Sequence, residues 1–129
     1  MRIRYLLLTL CLLVLVAFPV WAENLTVKSG TAASNGDNEL VAAPDAGNQI
    51  TVYKIQVQNE TNTSTTAILK SGSTAMYRVV LTSAGAGIVI DQFSGEPKWK
   101  LAPATALNLN LSGANSHNYT VWYTVERMR

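Results

Sequence analysis

Cysteine and histidine are almost absent from this sequence, since each occurs once in 129 residues. Cys11 lies in an apolar stretch near the N-terminus, and removal of that stretch leaves no thiol for a disulfide or a metal site. His117 lies in a polar segment typical of a turn, where we expect a solvated side chain. Nucleophilic catalysis needs a base with an orienting partner beside it, and nothing indicates one around His117. We therefore expect no enzyme.

Charge is also sparse and balanced. Ten basic residues accompany eight acidic ones, and Arg2 and Arg4 fall within the first five residues. Residues 23–129 therefore carry eight charges of each sign and have no net charge. Nucleic acids and anionic membranes are recognised by basic patches, so we expect neither as a partner of this segment.

Motifs that bind cofactors or metals are missing as well. The sequence has no glycine-rich phosphate loop, nucleophile elbow or zinc-binding helix, and we expect no cofactor. Its acidic residues are scattered, whereas glycoside hydrolysis needs two carboxylates that face each other. Asp37, Asn38 and Asp45 offer the oxygen ligands that calcium prefers. The turn propensity of Asx residues explains these three equally well, and we expect no metal site.

Residues 1–22 have the three parts of a secretory signal peptide. A basic start is followed by an apolar run over residues 6–20, with Val20 and Ala22 at the positions that signal peptidase recognises. We predict an N-terminal signal helix that is cleaved before Glu23. The mature protein would then be secreted or extracytoplasmic, in the periplasm or at the cell surface.

Two alternatives to cleavage fit this pattern less well. An uncleaved anchor needs about 20 apolar residues to cross a bilayer, whereas the run here has fifteen and contains Pro19 near its end. A lipoprotein would carry its lipid on a cysteine, but Cys11 lies inside the apolar run and follows Leu10 rather than a small residue. Cleavage accounts for these features best.

Short alternating segments, separated by Gly, Ser, Asn and Pro clusters, are typical of β-strands and dominate residues 48–129. Residues 23–47 have weaker strand patterns and a predicted turn at 34–38. The predicted strands span residues 25–28, 39–43, 49–58, 65–70, 74–82, 88–93, 105–112 and 118–127. Seven or eight short antiparallel strands predict an all-β fold with a single β-sandwich of jelly-roll or, alternatively, immunoglobulin-like type. Residues 23–47 and 48–129 would belong to this one domain.

The first strong strand pattern changes face in its middle. Ile50 and Val52 share one face, whereas Ile55 and Val57 share the other. A slip of one residue at Tyr53 indicates a β-bulge, or a bend that carries the strand from one sheet to another.

The last two strand patterns alternate without interruption on either side of a turn predicted at 113–117. One face of each pattern is apolar, and we expect these two faces to meet in the core. The apolar residues concerned are Leu107, Leu109, Leu111, Tyr119, Val121, Tyr123 and Val125.

Four segments in order along the chain also carry a family resemblance. They are GNQITV from Gly47, LKSGSTA from Leu69, ATALNLNLSGA from Ala104 and VWY from Val121. Together they resemble a group of small jelly-roll domains in tailed-phage virion proteins and related surface fibres. The resemblance implies a jelly-roll fold and a non-catalytic role in decorating particles or filaments, often as a trimer. Combined with a signal peptide, it implies a secreted or cell-surface filament subunit.

Four aromatic residues lie outside clear core faces and are candidate contacts for a ligand or for another protein chain. Rigid rings beside polar groups suit stacking on sugars or burial in an interface. Alternatively, Trp99 in the polar loop plugs one end of the sandwich, and Trp122 belongs to the second face of a central strand. The four candidate residues are Trp99, Trp122, Tyr77 and Tyr53.

Two functions from different classes fit these observations. The first is a structural subunit that associates with itself, as a trimer or in a filament, because a surface with little charge favours packing against copies. The second is a monomeric module that binds a surface glycan or a receptor. Glycosylation acceptor patterns occur at Asn24, Asn59, Asn62, Asn110 and Asn118, and a eukaryotic secretory route could glycosylate them. In a bacterial route they would be polar turns and strand faces, and at Asn110 and Asn118, which lie in predicted strands, we attribute the pattern to chance.

Overall fold

The computed structural model describes residues 25–91 and 99–128. The predicted signal peptide and its cleavage site lie outside these residues. Within the two ranges, no helix has the length and apolarity needed to cross a bilayer. The described strands are β1 (Thr26–Ala32), β2 (Gly36–Val41), β3 (Asn48–Asn59), β4 (Thr65–Ser71), β5 (Thr74–Leu81), β6 (Gly87–Asp91), β7 (Trp99–Lys100), β8 (Leu107–Leu111) and β9 (His117–Arg127).

The strands form two antiparallel sheets with the core between them. The first sheet has the order β1-β9-β3-β6, and β7 pairs with β3 beside β6. The second sheet has the order β2-β8-β4-β5. The pairs β1·β9, β2·β8, β3·β6 and β4·β5 are nested along the chain, each within the previous one. The predicted all-β class and sandwich arrangement are confirmed.

The core uses the alternation that the last two strand patterns predicted. In β8, the three leucines are at most 1 % exposed, and the asparagines between them are half-buried on the outer side. In β9, Tyr119 and Val121 are buried, and Tyr123 packs against the core. Burial of this alternating set holds the two sheets together, because each buried leucine or valine contributes roughly 2 kcal/mol.

Val125 departs from this alternation, and the prediction that it lies in the core is wrong. Its side chain is 51 % exposed. The reason is the length of the neighbouring strand, since β1 begins at Thr26 and pairs there with Tyr123. In the described part of the chain, Val125 therefore has a paired strand on one side only, through Ile50 of β3.

The change of face in β3 is a β-bulge, as one of the two interpretations predicted. The register with β9 shifts between Val52 and Lys54, so that Tyr53 is the extra residue. This insertion returns the apolar residues on both sides of it to the core, where none is more than 2 % exposed. Both halves of β3 pair with β9 in one sheet, and the alternative of a bend between sheets is wrong.

Turn chemistry places the connections close to their predicted positions. Ser71 pairs with Thr74, and Gly72 between them has a φ of +57° that favours glycine. The turn predicted at 34–38 is shorter than expected, because β2 already begins at Gly36. Asn38 closes this turn through two hydrogen bonds with the backbone of Ser34. The two strands before residue 48 pair with the rest of the sandwich, because β1 joins β9 and β2 joins β8.

The expectation of a solvated His117 is wrong. This residue opens β9, pairs with Ala32 and Asn59, and is completely buried. Its Nδ1 lies 2.7 Å from the carbonyl oxygen of Asn115, which continues the chain reversal into the strand. The connection between β8 and β9 ends at Ser116, one residue earlier than predicted, so the histidine enters the sheet.

Candidate functional site

The outer side of the first sheet is a regular array of polar side chains. Along β1, β9, β3 and β6, alternate residues point away from the core and line up across the strands. Three rows result, which are Thr31–Asn118–Gln58–Gly87, Ser29–Thr120–Gln56–Val89 and Val27–Trp122–Lys54–Asp91. We refer to the first two rows as the amide face.

A shallow depression of about 320 Å³ lies on the amide face between β9, β3 and β6. Gln56, Gln58, Asn118 and Thr120 contribute to its lining. Gly87 lies at the end of the first row and has no side chain to fill the space. The lining is therefore neutral and presents both hydrogen-bond donors and acceptors.

Cross-strand hydrogen bonds hold two sides of this array in place. The Ser29 and Thr120 hydroxyls are 2.9 Å apart, and the Thr31 hydroxyl donates to Asn118 Oδ1 over 2.9 Å. The Asn118 amide in turn donates to the carboxylate of Glu60. Asn118 is thus fixed with its oxygen towards β1 and its nitrogen towards the loop after β3.

Gln56 is the exception in the middle of the depression. Its side chain is half-buried, and its amide forms no hydrogen bond with any residue that the structure describes. Gln58, one row away, donates only a long hydrogen bond of 3.4 Å to the carbonyl of Gly85. Two glutamine amides in one depression therefore keep most of their hydrogen-bonding capacity for water or a ligand.

The third row borders the amide face with an aromatic ring and a compensated charge pair. Lys54 Nζ lies 4.9 Å from the centre of the Trp122 ring and 3.3 Å from Asp91 Oδ2. The half-buried indole therefore lies on the outer side of β9, where its lysine contact is a cation–π interaction. The ion pair compensates the charges of the two ionised side chains in this row.

The four aromatic candidates do not form one cluster. Tyr77 and Trp99 meet with ring centres 6.4 Å apart and planes tilted by 45°. Because Tyr77 belongs to β5 and Trp99 to β7, their contact joins the two sheets at one edge of the sandwich. Trp99 is half-buried against the core, whereas Tyr77 is 39 % exposed. Tyr53 is half-buried at the bulge.

The second sheet carries a charged network on its outer side. Lys70 Nζ contacts both carboxylate oxygens of Asp37 at 2.8 and 2.9 Å, and Asn110 donates to the same carboxylate. Hydrogen bonding by Lys70 and then by Asn110 lowers the pKa of Asp37. Asp37 is thus engaged by an ammonium group, and the Asn38 amide closes a turn. In the described ranges, no three His, Cys, Asp or Glu residues are grouped to hold a metal.

Sequence reasoning directed attention to the aromatic residues and missed the amide face. The signal was present in the alternation of polar residues at Lys54, Gln56 and Gln58 between buried apolar ones. A matching alternation occurs at Asn118 and Thr120, but only the strand register shows that the two sets are adjacent. Comparison with protein-family models finds no family that matches the chain, and a search of curated proteins finds no match.

Proposed function

We propose that this chain is a non-enzymatic structural subunit of jelly-roll type, exported from the cytoplasm, that assembles with copies of itself. The nested pairing of β1·β9, β2·β8, β3·β6 and β4·β5 supports the jelly-roll assignment. A long hairpin folded over on itself produces this order, with two Greek keys and four strands in each sheet. The additional two-residue strand β7 extends the first sheet beside β6.

The observation that carries self-assembly is the edge strand β5. It spans eight residues and pairs with β4, and no other described strand pairs with its opposite side. Unpaired backbone donors and acceptors along a strand favour the addition of another strand. Natural edges are protected by proline, by several charges or by short length, whereas β5 has no proline and one charged residue, Arg78.

Exposed apolar side chains on β5 add to this edge. Tyr77 is 39 % exposed and Val80 is 54 % exposed. The two side chains lie on opposite faces of β5. Pairing of β5 with a second copy would cover part of each and satisfy the backbone at the same time. A homo-oligomer, either a trimer or a filament, follows most directly from such an edge.

Export rests on the sequence, and the non-enzymatic role on the sequence together with the burial of His117. The basic start and apolar run of residues 1–22 support a secretory route. N-terminal sequencing of material secreted by cells that express the full chain tests it, with a start at Glu23 expected. An intact Met1 would contradict cleavage. The lone histidine supports a non-enzymatic role, because its ring is completely buried and out of reach of a substrate.

Size-exclusion chromatography with light scattering tests self-assembly. The sample is the protein obtained by expressing the full chain. At micromolar concentration it should elute as an oligomer whose mass is at least twice that of the protomer. Val80→Lys places a charge on the exposed part of β5 and should shift the protein to monomer with an unchanged far-ultraviolet spectrum. Asn35→Lys adds the same charge in the exposed turn before β2, at the opposite edge, and should leave the oligomer intact. A monomer at every concentration would refute the proposal.

A further inference from the structure

We propose that the amide face binds a neutral oligosaccharide. This site differs from the edge strand that carries self-assembly, and it does not depend on the oligomeric state. The amide face does not include Trp99, which was predicted as a ligand contact but lies at the sandwich edge against the core. Five properties of the outer side of the first sheet support the proposal, which are hydrogen-bonding capacity, pre-organisation, shape, charge and bordering apolar surface.

Hydrogen-bonding capacity is concentrated at Gln56. A primary amide can donate two hydrogen bonds and accept two, and the Gln56 amide makes none within the described protein. Gln58 lies two residues along the same strand, and its single long hydrogen bond leaves it nearly as open. A sugar hydroxyl both donates and accepts, so each amide can engage one or two hydroxyls of a sugar ring. The half-buried Gln56 amide, which has no partner among the described residues, gains most from such a ligand.

Pre-organisation distinguishes the rest of the array from a generic polar surface. Thr120 and Asn118 are held by Ser29 and Thr31 on β1, and Asn118 is also held by Glu60. These side chains therefore lose little conformational freedom when a ligand binds. Backbone pairing of β9 with both β1 and β3 fixes the strands that carry them.

The shape of the face fits a small ligand unit. The depression of about 320 Å³ lies at the lower end of the range of roughly 300–1,000 Å³ found for small-molecule sites. Gly87 has no side chain to fill one side of the depression. A Cβ at this position would lie 3.0 Å from the carbonyl oxygen of Val57, so the close approach of the two strands favours glycine.

Charge complementarity selects a neutral ligand. Lys54 is paired with Asp91, and Glu60 accepts hydrogen bonds from Ser116 and Asn118. No unpaired cation of the described residues therefore lies within the three rows to attract a sulfate, phosphate or uronate group. An anionic glycan would gain little here, whereas a neutral one keeps all of its hydroxyl contacts.

Apolar surface at the border complements the C–H faces of sugars. Val89 of β6 is 59 % exposed and lines the depression in the second row, and Trp122 of β9 lies in the third row, on the other side of β3. Sugar rings present hydroxyls at their rim and C–H groups on their faces, and aromatic or aliphatic side chains beside amides match this pattern. The combination points to a saccharide rather than to a peptide.

Calorimetric titration of the protein with neutral hexasaccharides tests the inference. The probes are cellohexaose, xylohexaose, mannohexaose and maltohexaose, with hexagalacturonate and a heparin hexasaccharide as anionic comparisons. At least one neutral probe should bind, and the two anionic probes should not. Failure of every neutral probe at millimolar concentration would overturn the proposal, as would binding of the anionic probes alone.

Matched variants locate the site. Gln56→Ala should weaken binding of the neutral probe at least tenfold, whereas Asn35→Ala, which removes an exposed amide from a turn, should not change it. Val89→Lys fills the border of the depression from a side chain that is already exposed, and it should also weaken binding at least tenfold. Equal binding by Gln56→Ala, Val89→Lys and the unsubstituted protein would place any saccharide site elsewhere. Thermal unfolding of each variant shows that the fold is retained.

Discussion

The ring of Tyr119 lies directly over Gly30. The two residues are register partners in β9 and β1, and a Cβ at position 30 would lie 2.7 Å from the Tyr119 hydroxyl and 3.0 Å from Cζ. Tyr119 is only 9 % exposed, so its ring is held between this glycine and the core. The close approach of β1 to the rest of the first sheet therefore requires the absence of a side chain at residue 30.

Gly30→Ala should lower the free energy of unfolding by about 1–3 kcal/mol, because the added methyl group overpacks a confined aromatic ring. Urea titration followed by tyrosine and tryptophan fluorescence measures the change. Tyr119→Phe removes the atom that would be closest to the methyl group. In the Gly30→Ala, Tyr119→Phe double variant, the cost of the alanine should be smaller than in the unsubstituted protein. An additive double-mutant cycle would show that the two side chains do not compete for space.

Asn59→Ala should be among the most destabilising single substitutions, with a loss of about 3 kcal/mol or more. The Asn59 side chain is fully buried, donates to the carbonyls of Thr63 and Leu81, and accepts from the backbone and hydroxyl groups of Thr61. Alanine leaves all four partners without this bond. Asn62→Ala provides the control, since its exposed amide only accepts one bond of 3.4 Å and should cost less than about 0.5 kcal/mol. Denaturant titration at neutral pH compares the two, and equal losses would contradict the prediction.

The burial of Asn59 also decides one of the five glycosylation patterns. Its amide nitrogen is engaged by two carbonyls inside the fold, so a glycan there is incompatible with the folded domain. The sequence shows the acceptor pattern but not the accessibility of the nitrogen, which depends on contacts with the loop after β3 and with the end of β5.

Asp37 should make the stability of the protein depend on pH in acid. Its pKa is lowered in the folded state, so its contribution is present above the unfolded-chain value of 3.8 and is lost as the pH falls through the folded value. Because the side chain is 43 % exposed, the contribution should be well below about 1 kcal/mol. Asp37→Asn should therefore destabilise the protein at pH 7 and have less effect near pH 2. Urea titration at both pH values measures the loss of stability caused by Asp37→Asn, and the same comparison is repeated in a Lys70→Met background. If the loss in the protein that retains Lys70 is the same at both pH values, the assignment is refuted.

Strand patterns were predicted well where local alternation and burial agree. The leucines of β8 show this directly, since every second residue is apolar and every apolar residue is buried. The hairpin at Gly72 is also local, because a glycine between two alternating segments specifies a tight turn. Such features depend on only a few neighbouring residues, and these are visible in the sequence.

The remaining features depend on contacts between distant segments. His117 is buried because β1 and β3 both pair with the first residue of β9, more than 50 residues away in sequence. The exposure of Val125 depends on where β1 begins. The amide face requires the register of four strands, so the polar residues that form it carry no local signal that they are adjacent. Sheet register is thus the step that residue patterns alone do not provide.

Thr51 and Thr124 face each other across β3 and β9 and provide a matched pair of buried hydroxyls. Thr51 Oγ1 is buried and has no hydrogen-bond partner in the described residues, whereas Thr124 donates to Glu126 over 3.1 Å. An unsatisfied buried hydroxyl costs free energy that a methyl group of similar size does not. Thr51→Val should therefore leave the free energy of unfolding unchanged or raise it by up to about 1 kcal/mol, and Thr124→Val should lower it by about 1 kcal/mol. Because both substitutions replace the same hydroxyl with the same methyl group in paired strands, β-propensity and volume cancel between them. A larger loss for Thr51→Val than for Thr124→Val, measured by urea titration, would mean that Thr51 is hydrogen-bonded in solution.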